Sequence, residues 1–182
     1  GNFGNITAGL FAQRMGLPIK HFIAANNAND IFYNYLLSGI YSPKASIQTI
    51  ANAMDVGDPS NFARILDLYK SSHAEICNHI SGATYSDDEI ATTMKKCYEQ
   101  TGYVLDPHGA CGYQALKDNL KDGETGVFLE TAHPAKFKEK VDAILSTDIE
   151  IPTRLADFMK GKKQSLEMAA DFASFKQFLL SV

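Results

Sequence analysis

The chain opens on Gly1-Asn2-Phe3-Gly4-Asn5 and passes straight into a helical pattern. The first amides of a helix have no partner inside it, which makes a helix start a ready anion site. A charge-assisted hydrogen bond from such an amide is worth about 1.5–3 kcal/mol, against about 0.3–1 kcal/mol for the helix dipole. The loop amides therefore dominate, and glycine lets the backbone approach a phosphate closely. Asn2 and Asn5 add side-chain contacts or stabilise left-handed turns. Taken alone, a G-x-x-G before a helix is more often a plain turn than a phosphate cradle.

Other chemistry-bearing residues are scattered. His108 follows Asp106-Pro107 and reads as a cap or as a cleft residue. Thr131, taken alone, reads as a cap after a strand, and His133 beside it as a packing or hydrogen-bonding histidine. His73 and Cys77 stand four apart on a helical stretch, but no third or fourth ligand has suitable spacing, so no metal site is expected. There is no G-x-S-x-G, which argues against a serine hydrolase. Lys160-Gly161-Lys162-Lys163 is a short basic cluster flanked by acids and reads as a solvated loop.

These residues are carried by alternating helices and strands. Ile6 with Leu10, and Phe11 with Met15, fall four apart on a first helix that stops at Gly16. Ile19 to Ala25 reads as a short buried strand before an Asn-Asn turn. A helix over Asp30 to Leu37 ends near Gly39. Ser42 to Ser60 reads as a long loop with one helical turn around Ser46 to Met54, and long loops inside compact domains are often functional. Ser60 is placed to cap a helix with Phe62, Ile65, Leu66 and Tyr69 on one face. Ser86-Asp87-Asp88-Glu89 is a capping-box pattern ahead of a stripe of Ile90, Met94, Cys97 and Tyr98 that ends at Gly102. A further helix follows Asp106-Pro107 with Tyr113, Leu116 and Leu120 inward. Gly126 to Glu130 reads as a strand, and a helix then runs through Phe137, Val141 and Ile144. The last helix starts at Asp171, with Phe172, Phe175, Phe178 and Leu179 apolar. The pattern predicts the α/β class: a partial parallel sheet with flanking helices.

Bulk properties exclude several classes. The 182 residues suit one domain, with two small lobes possible, and 45% hydrophobic content supplies a core. A formal net charge of -4 argues against a nucleic-acid surface, which would carry a basic stripe. Three cysteines with no C-x-x-C point to a reducing compartment and a cytoplasmic location. No stretch approaches the ~20 apolar residues needed to span a bilayer, so no membrane partner is expected.

Five blocks carry a resemblance. Gly1 to Gly9, Phe22-Ile23-Ala24-Ala25-Asn26, Asn52-Ala53-Met54-Asp55-Val56, Asp106-Pro107-His108-Gly109-Ala110 and Thr131-Ala132-His133-Pro134-Ala135-Lys136-Phe137 occur in order along nearly the whole chain. Together they resemble the threonine synthases, which are fold-type-II enzymes dependent on pyridoxal 5'-phosphate (PLP), with a tryptophan synthase β-like fold. The last block sets them apart from relatives such as the serine/threonine dehydratases.

The resemblance implies that residues 1–182 form the C-terminal portion of the PLP-binding catalytic domain, with a helix-rich segment at about 60–120. It implies that Gly1, Asn2, Phe3, Gly4 and Asn5 hold the cofactor phosphate and that Thr131 offers its hydroxyl to the pyridine nitrogen. A neutral hydroxyl there does not force that nitrogen to stay protonated. Asn52, Asp55 and His108 become candidates for substrate contact. The implied reaction is that of a PLP-dependent lyase in threonine biosynthesis: O-phospho-L-homoserine and water give L-threonine and phosphate.

In the family the Schiff-base lysine precedes the glycine loop, so no catalytic residue is expected here. Ser174-Phe175-Lys176 imitates the lysine context, but Lys176 reads as a solvated helix lysine. Residues 1–182 alone are expected to be inactive, to need the N-terminal part of the enzyme, and to show self-association through apolar surface left uncovered or a partly disordered Gly1–Asn5 segment. The alternative reading is a stand-alone phosphate- or nucleotide-binding α/β module without catalysis.

Overall fold

The structure is a computed structural model that describes residues 1–52 and 55–181. The chain divides into two compact units, residues 1–149 and 150–182.

In the first unit, α1 (Gly4–Arg14) leads to β1 (Phe22–Asn26) and α2 (Ile31–Ser38). The short helices α3 (Phe62–Leu68) and α4 (His73–His79) precede β2 (Ile80–Thr84). Then come α5 (Asp87–Thr101), α6 (Pro107–Asn119), a 3-10 turn (Pro134–Phe137) and α7 (Lys138–Leu145). β1 and β2 pair in parallel, with Phe22 opposite Ile80 and Asn26 opposite Thr84. This is the partial parallel sheet with flanking helices that the pattern predicts.

Each face of the β pair meets its own helix layer, as side-chain alternation along a strand requires. Ala24 and Ile80 face a cluster with Leu10, Phe32, Tyr35, Phe62, Ile65, Tyr69 and Ile76. Ile23, Ala25 and Ala83 pack on the other cluster, built from Tyr85, Ile90, Met94, Cys97, Leu105, Ala110, Cys111, Ala115, Phe137 and Val141. The Ser86–Glu89 capping box is formed in full, and Gly102 closes α5 in the left-handed conformation at φ 72°. Gly39 closes α2 in the same way at φ 73°.

Several sequence expectations change. On α1 the buried residues are Thr7 and Leu10, while Met15 is 86% exposed. On α6 the buried side chains are Pro107, Ala110, Cys111 and Ala115; Tyr113 and Leu116 are half-buried and Leu120 is exposed. Small residues let α6 lie close to β1, so the larger apolar ones move to the flank. Ser60 does not cap α3; Asn61 takes that position without a side-chain cap bond. Ser46 to Asn52 contains no helix, and the rest of that expected turn, Ala53 and Met54, lies outside the described residues.

Gly126 to Glu130 pairs with no strand among the described residues. It keeps a strand-like alternation: Gly126, Phe128 and Glu130 are half-buried, while Val127 and Leu129 are exposed. Phe128 meets Tyr113 of α6 edge-on at 5.5 Å.

The second unit holds α8 (Thr153–Met159) and α9 (Phe172–Ser181). Asp171 stands before α9, where its carboxylate accepts from Ser174 N at 2.9 Å. Phe172, Phe175, Leu179 and Leu180 are all exposed, as is Lys176. No described helix is long and apolar enough to cross a membrane.

Candidate functional site

The glycine loop is held open at the start of α1. Phe3 takes the left-handed conformation at φ 57° and ψ 23°, which costs a bulky residue about 1 kcal/mol or more. Its ring is fixed against Phe32 at 5.0 Å, so packing offsets the strain. Asn2 is fully engaged. Its Nδ2 donates to Ser60 Oγ at 2.9 Å, its Oδ1 accepts from Ser60 N at 2.6 Å, and its carbonyl accepts from Asn61 Nδ2 at 2.8 Å. The side chain of Asn2 therefore ties the loop to the entrance of α3.

Thr7 N reaches back to Phe3 O at 3.1 Å, but the amides of Asn5 and Ile6 have no backbone acceptor among the described residues. The buried hydroxyl of Thr7 also lacks a partner among them. Nothing lies within 4 Å of where a Cβ would stand at Gly1 or Gly4. Open glycine backbone, free amides and one orphaned buried hydroxyl together fit a phosphate group. Asn2→Ala is expected to raise amide exchange over residues 2–6 about fivefold, corresponding to about 1 kcal/mol of lost anchoring. Unchanged exchange would mean that the Ser60 contacts do not hold the loop.

The turn after β1 and the long segment between α2 and α3 form a polar cluster beyond the carboxyl end of β1, the side on which open α/β sheets bind ligands. The Asp55 carboxylate accepts from Asn27 Nδ2 (3.3 Å), Asn29 Nδ2 (3.1 Å), Thr49 N (3.1 Å) and Thr49 Oγ1 (3.0 Å). Both oxygens of Asp87 accept from Ile50 N at 3.2 Å. Asn52 is exposed. The Gly1 backbone nitrogen lies within electrostatic reach of Asp55 and of Cys111 on α6. The start of the glycine loop thus lies on the side of the Asp55 cluster and of α6, within reach of their charges.

The start of α6 joins His108 and Asp106, both named in the sequence reading, to Glu130, which was read there only as a strand end. Asp106 is fully buried and caps the helix, accepting from His108 N at 2.7 Å. The same oxygen, Oδ1, lies 2.9 Å from His108 Nδ1, and since a carboxylate accepts, Nδ1 carries the proton. The His108 ring is partly exposed and packs on Phe137 at 5.3 Å. Asp106 N donates to Glu130 Oε1 at 2.7 Å.

Burial, and then a hydrogen bond to Asp106, push the Glu130 carboxyl up to about 8. Burial also opposes ionisation of Asp106, but the hydrogen bonds from His108 and Glu130 outweigh it and hold that carboxyl below its ordinary range. Burial and the Asp106 charge raise the Cys111 thiol to about 12, which makes it a poor nucleophile.

Thr131 is exposed and directly follows Glu130. The Glu130–Asp106 contact therefore brings Thr131 to the start of α6. His133 stands apart from this contact: its Nδ1 accepts from Ala135 N at 3.1 Å and caps the 3-10 turn. His73 and Cys77 contact each other at 3.3 Å and both bond the carbonyl of Leu36, a packing arrangement under α2.

Free helix-start amides at the carboxyl edge of a parallel β pair, with helices on both faces, define an α/β protein shaped to hold a phosphate-bearing ligand. The chain belongs to the pyridoxal-phosphate dependent enzyme family, whose model matches residues 1–131. Residues 109–179 match the model described as threonine synthase, C-terminal.

A threonine synthase from Haemophilus influenzae is 47% identical over 99% of this chain and 42% of its own length. The crystal structure of threonine synthase from Escherichia coli superposes with a TM-score of 0.82 at 42% identity, covering 100% of this chain and 42% of that one. A PLP-bound threonine synthase from Brucella melitensis gives a TM-score of 0.81 at 35% identity over 90% of this chain and 40% of that one. The chain thus spans about 42% of the length of the relatives it matches first. The cofactor of the family is PLP, and the open loop at Gly1–Asn5 fits its phosphate.

Proposed function

We propose that the chain serves a threonine synthase, a PLP-dependent lyase that converts O-phospho-L-homoserine and water to L-threonine and phosphate. The observation that carries this reading is the open loop with its free Asn5 and Ile6 amides, within electrostatic reach of α6, which in turn holds the segment ending at Thr131. The amides, with the Thr7 hydroxyl, would bind the cofactor phosphate, and Asn2 would fix the loop. The Thr131 hydroxyl would meet the pyridine nitrogen and leave it free to be neutral. PLP, once bound, supplies the electron sink that such chemistry needs.

His108, oriented by Asp106 through Nδ1, would turn its other ring nitrogen to the substrate phosphate. Asn52 would line the substrate entrance. Asp55 would contribute by holding Asn27, Asn29 and Thr49 in place. The lysine that carries the cofactor is expected among residues that the relatives hold outside the matched 42%. The uncovered Val127 and Leu129, 81% and 59% exposed, would then be covered by that remaining part, or by self-association in its absence. Three free cysteines accord with a cytoplasmic biosynthetic enzyme.

The test is reconstitution. The purified chain is mixed with PLP, with and without a separately expressed N-terminal part of a threonine synthase, and assayed for retained absorbance, threonine and phosphate. Threonine formed only in the mixture is the expected result. Threonine formed by the chain alone would overturn the division of labour. Silence from a folded, associated mixture would overturn the activity. A chain that binds free phosphate or nucleotides but ignores PLP would favour a binding module.

A further inference from the structure

Glu130 sits in a slot made for it. A Cβ added at Gly109 would stand 1.9 Å from Glu130 Oε2 and 2.4 Å from its Cδ, so the carboxyl lies against bare backbone in the first turn of α6. Its Oε1 accepts from Asp106 N. Two buried oxygens of the group lack a donor among the described residues: Asp106 Oδ2 and Glu130 Oε2. The bond from Asp106 N to Glu130 Oε1 brings the two carboxyls together, close enough for each to shift the ionisation of the other. Two facing acids cannot both ionise cheaply, and one proton between them satisfies both orphaned oxygens.

We infer that Asp106 and Glu130 share one proton, and that this proton is the latch holding Thr131 at the start of α6. Glu130 is thereby a positioning residue for the site. The role of Thr131 rests on the function proposed above; the latch itself does not. The other titratable groups around the pair are His108 and Cys111 on α6 and Tyr103 on the segment before it. His108 already bonds Oδ1, the Cys111 thiol stays protonated, and burial raises the Tyr103 phenol, with Glu130 and Asp106 adding to that shift. None of them supplies the missing proton.

The experiment uses the full chain and its Glu130→Gln variant, each with and without added PLP, labelled at the glutamate carboxyl carbons and titrated by NMR from about pH 4 to about pH 10. The resonance lost in Glu130→Gln is expected to titrate near 8, far from the ordinary glutamate range. Amide exchange at Thr131 and Ala132, normalised to the variant, is expected to rise about tenfold between pH 7 and pH 9 as the proton leaves. Glu130→Gln keeps a neutral donor toward Asp106 and should hold the segment with no such rise.

The Gly109→Ala variant evicts the carboxyl sterically and should free Thr131 at every pH. Titration of Glu130 near 4.5, or identical exchange profiles in wild type and Glu130→Gln, would overturn the latch. If the titration is as expected but neither protein takes up PLP by visible absorbance, the latch stands and the cofactor reading falls.

Discussion

Asp55→Ala is expected to lower the urea-unfolding free energy by about 3–5 kcal/mol, a large share of the roughly 5–15 kcal/mol typical of a domain. The carboxylate accepts four hydrogen bonds, and their donors belong to residues with almost no solvent access: Asn27 at 7%, Asn29 at 8% and Thr49 at 3% exposure. Orphaning a buried donor costs about 1–3 kcal/mol, and such terms within one network do not simply add. Thr49 Oγ1 also accepts from Asn27 Nδ2 at 2.9 Å, so part of the cluster can rearrange, and the total stays below the sum. Asp55→Asn should cost less, about 1–2 kcal/mol, because one oxygen survives while its new amide faces the Thr49 donor. A substrate ligand and an organiser of the loop separate cleanly here. If Asp55 only touched substrate, KM would rise and the unfolding midpoint would not move. Its role as organiser requires the midpoint to fall.

Signals confined to a few neighbouring residues were legible in the sequence. The Ser86–Glu89 capping box, the Gly39 and Gly102 helix ends and the Asp106-Pro107 helix start all depend on chain neighbours, and the structure has them where the pattern puts them. What depends on distant partners was not legible. β2 reads Ile-Ser-Gly-Ala-Thr, a weak strand sequence inside a helix-rich stretch, and becomes a strand only through its parallel register with β1. Gly126 to Glu130 has the converse fate: its alternation is strand-like, but no described strand lies alongside it.

The exposed face of α1 misleads for a related reason. Apolar residues occur on both of its sides, and tertiary packing chooses the one with Thr7 and Leu10. At the candidate site the glycine loop was readable because its chemistry is local. The partnership of Asp106 with Glu130 joins residues 24 apart, and its sole local trace is Gly109, a small residue just inside a helix start where Glu130 must fit.

Asp106→Ala is expected to be about as damaging, at about 3–5 kcal/mol, the usual result of breaking a buried polar pair. About 1 kcal/mol of that is the lost cap on His108 N. The remainder comes from the His108 ring, which loses its acceptor, and from the side-chain contact with Glu130; the backbone bond from residue 106 N to Glu130 Oε1 survives. The more informative variant is Asp106→Asn, because it keeps an acceptor for the cap and removes the negative charge beside Glu130. In the wild type the Glu130 pKa rises from 4.5 to about 8, through burial first and Asp106 second. A folded pKa above the unfolded one makes a contribution that is fully present below about 4.5. It is lost as pH rises through about 8.

Wild-type stability should therefore fall across that window and level off above it. Asp106 is depressed below its ordinary 3.8, so its own contribution is present above that value and is lost only in stronger acid. In Asp106→Asn the like charge is gone and an amide can donate to ionised Glu130, so the Glu130 pKa drops toward its ordinary value and the slope flattens. The variant should be the less stable protein near pH 5 and should approach or overtake the wild type near pH 9. Urea unfolding at a series of pH values reads this directly. Parallel curves for the two proteins would mean that Asp106 does not set the protonation of Glu130. Converging curves would tie the order of the segment before Thr131 to a single proton on α6.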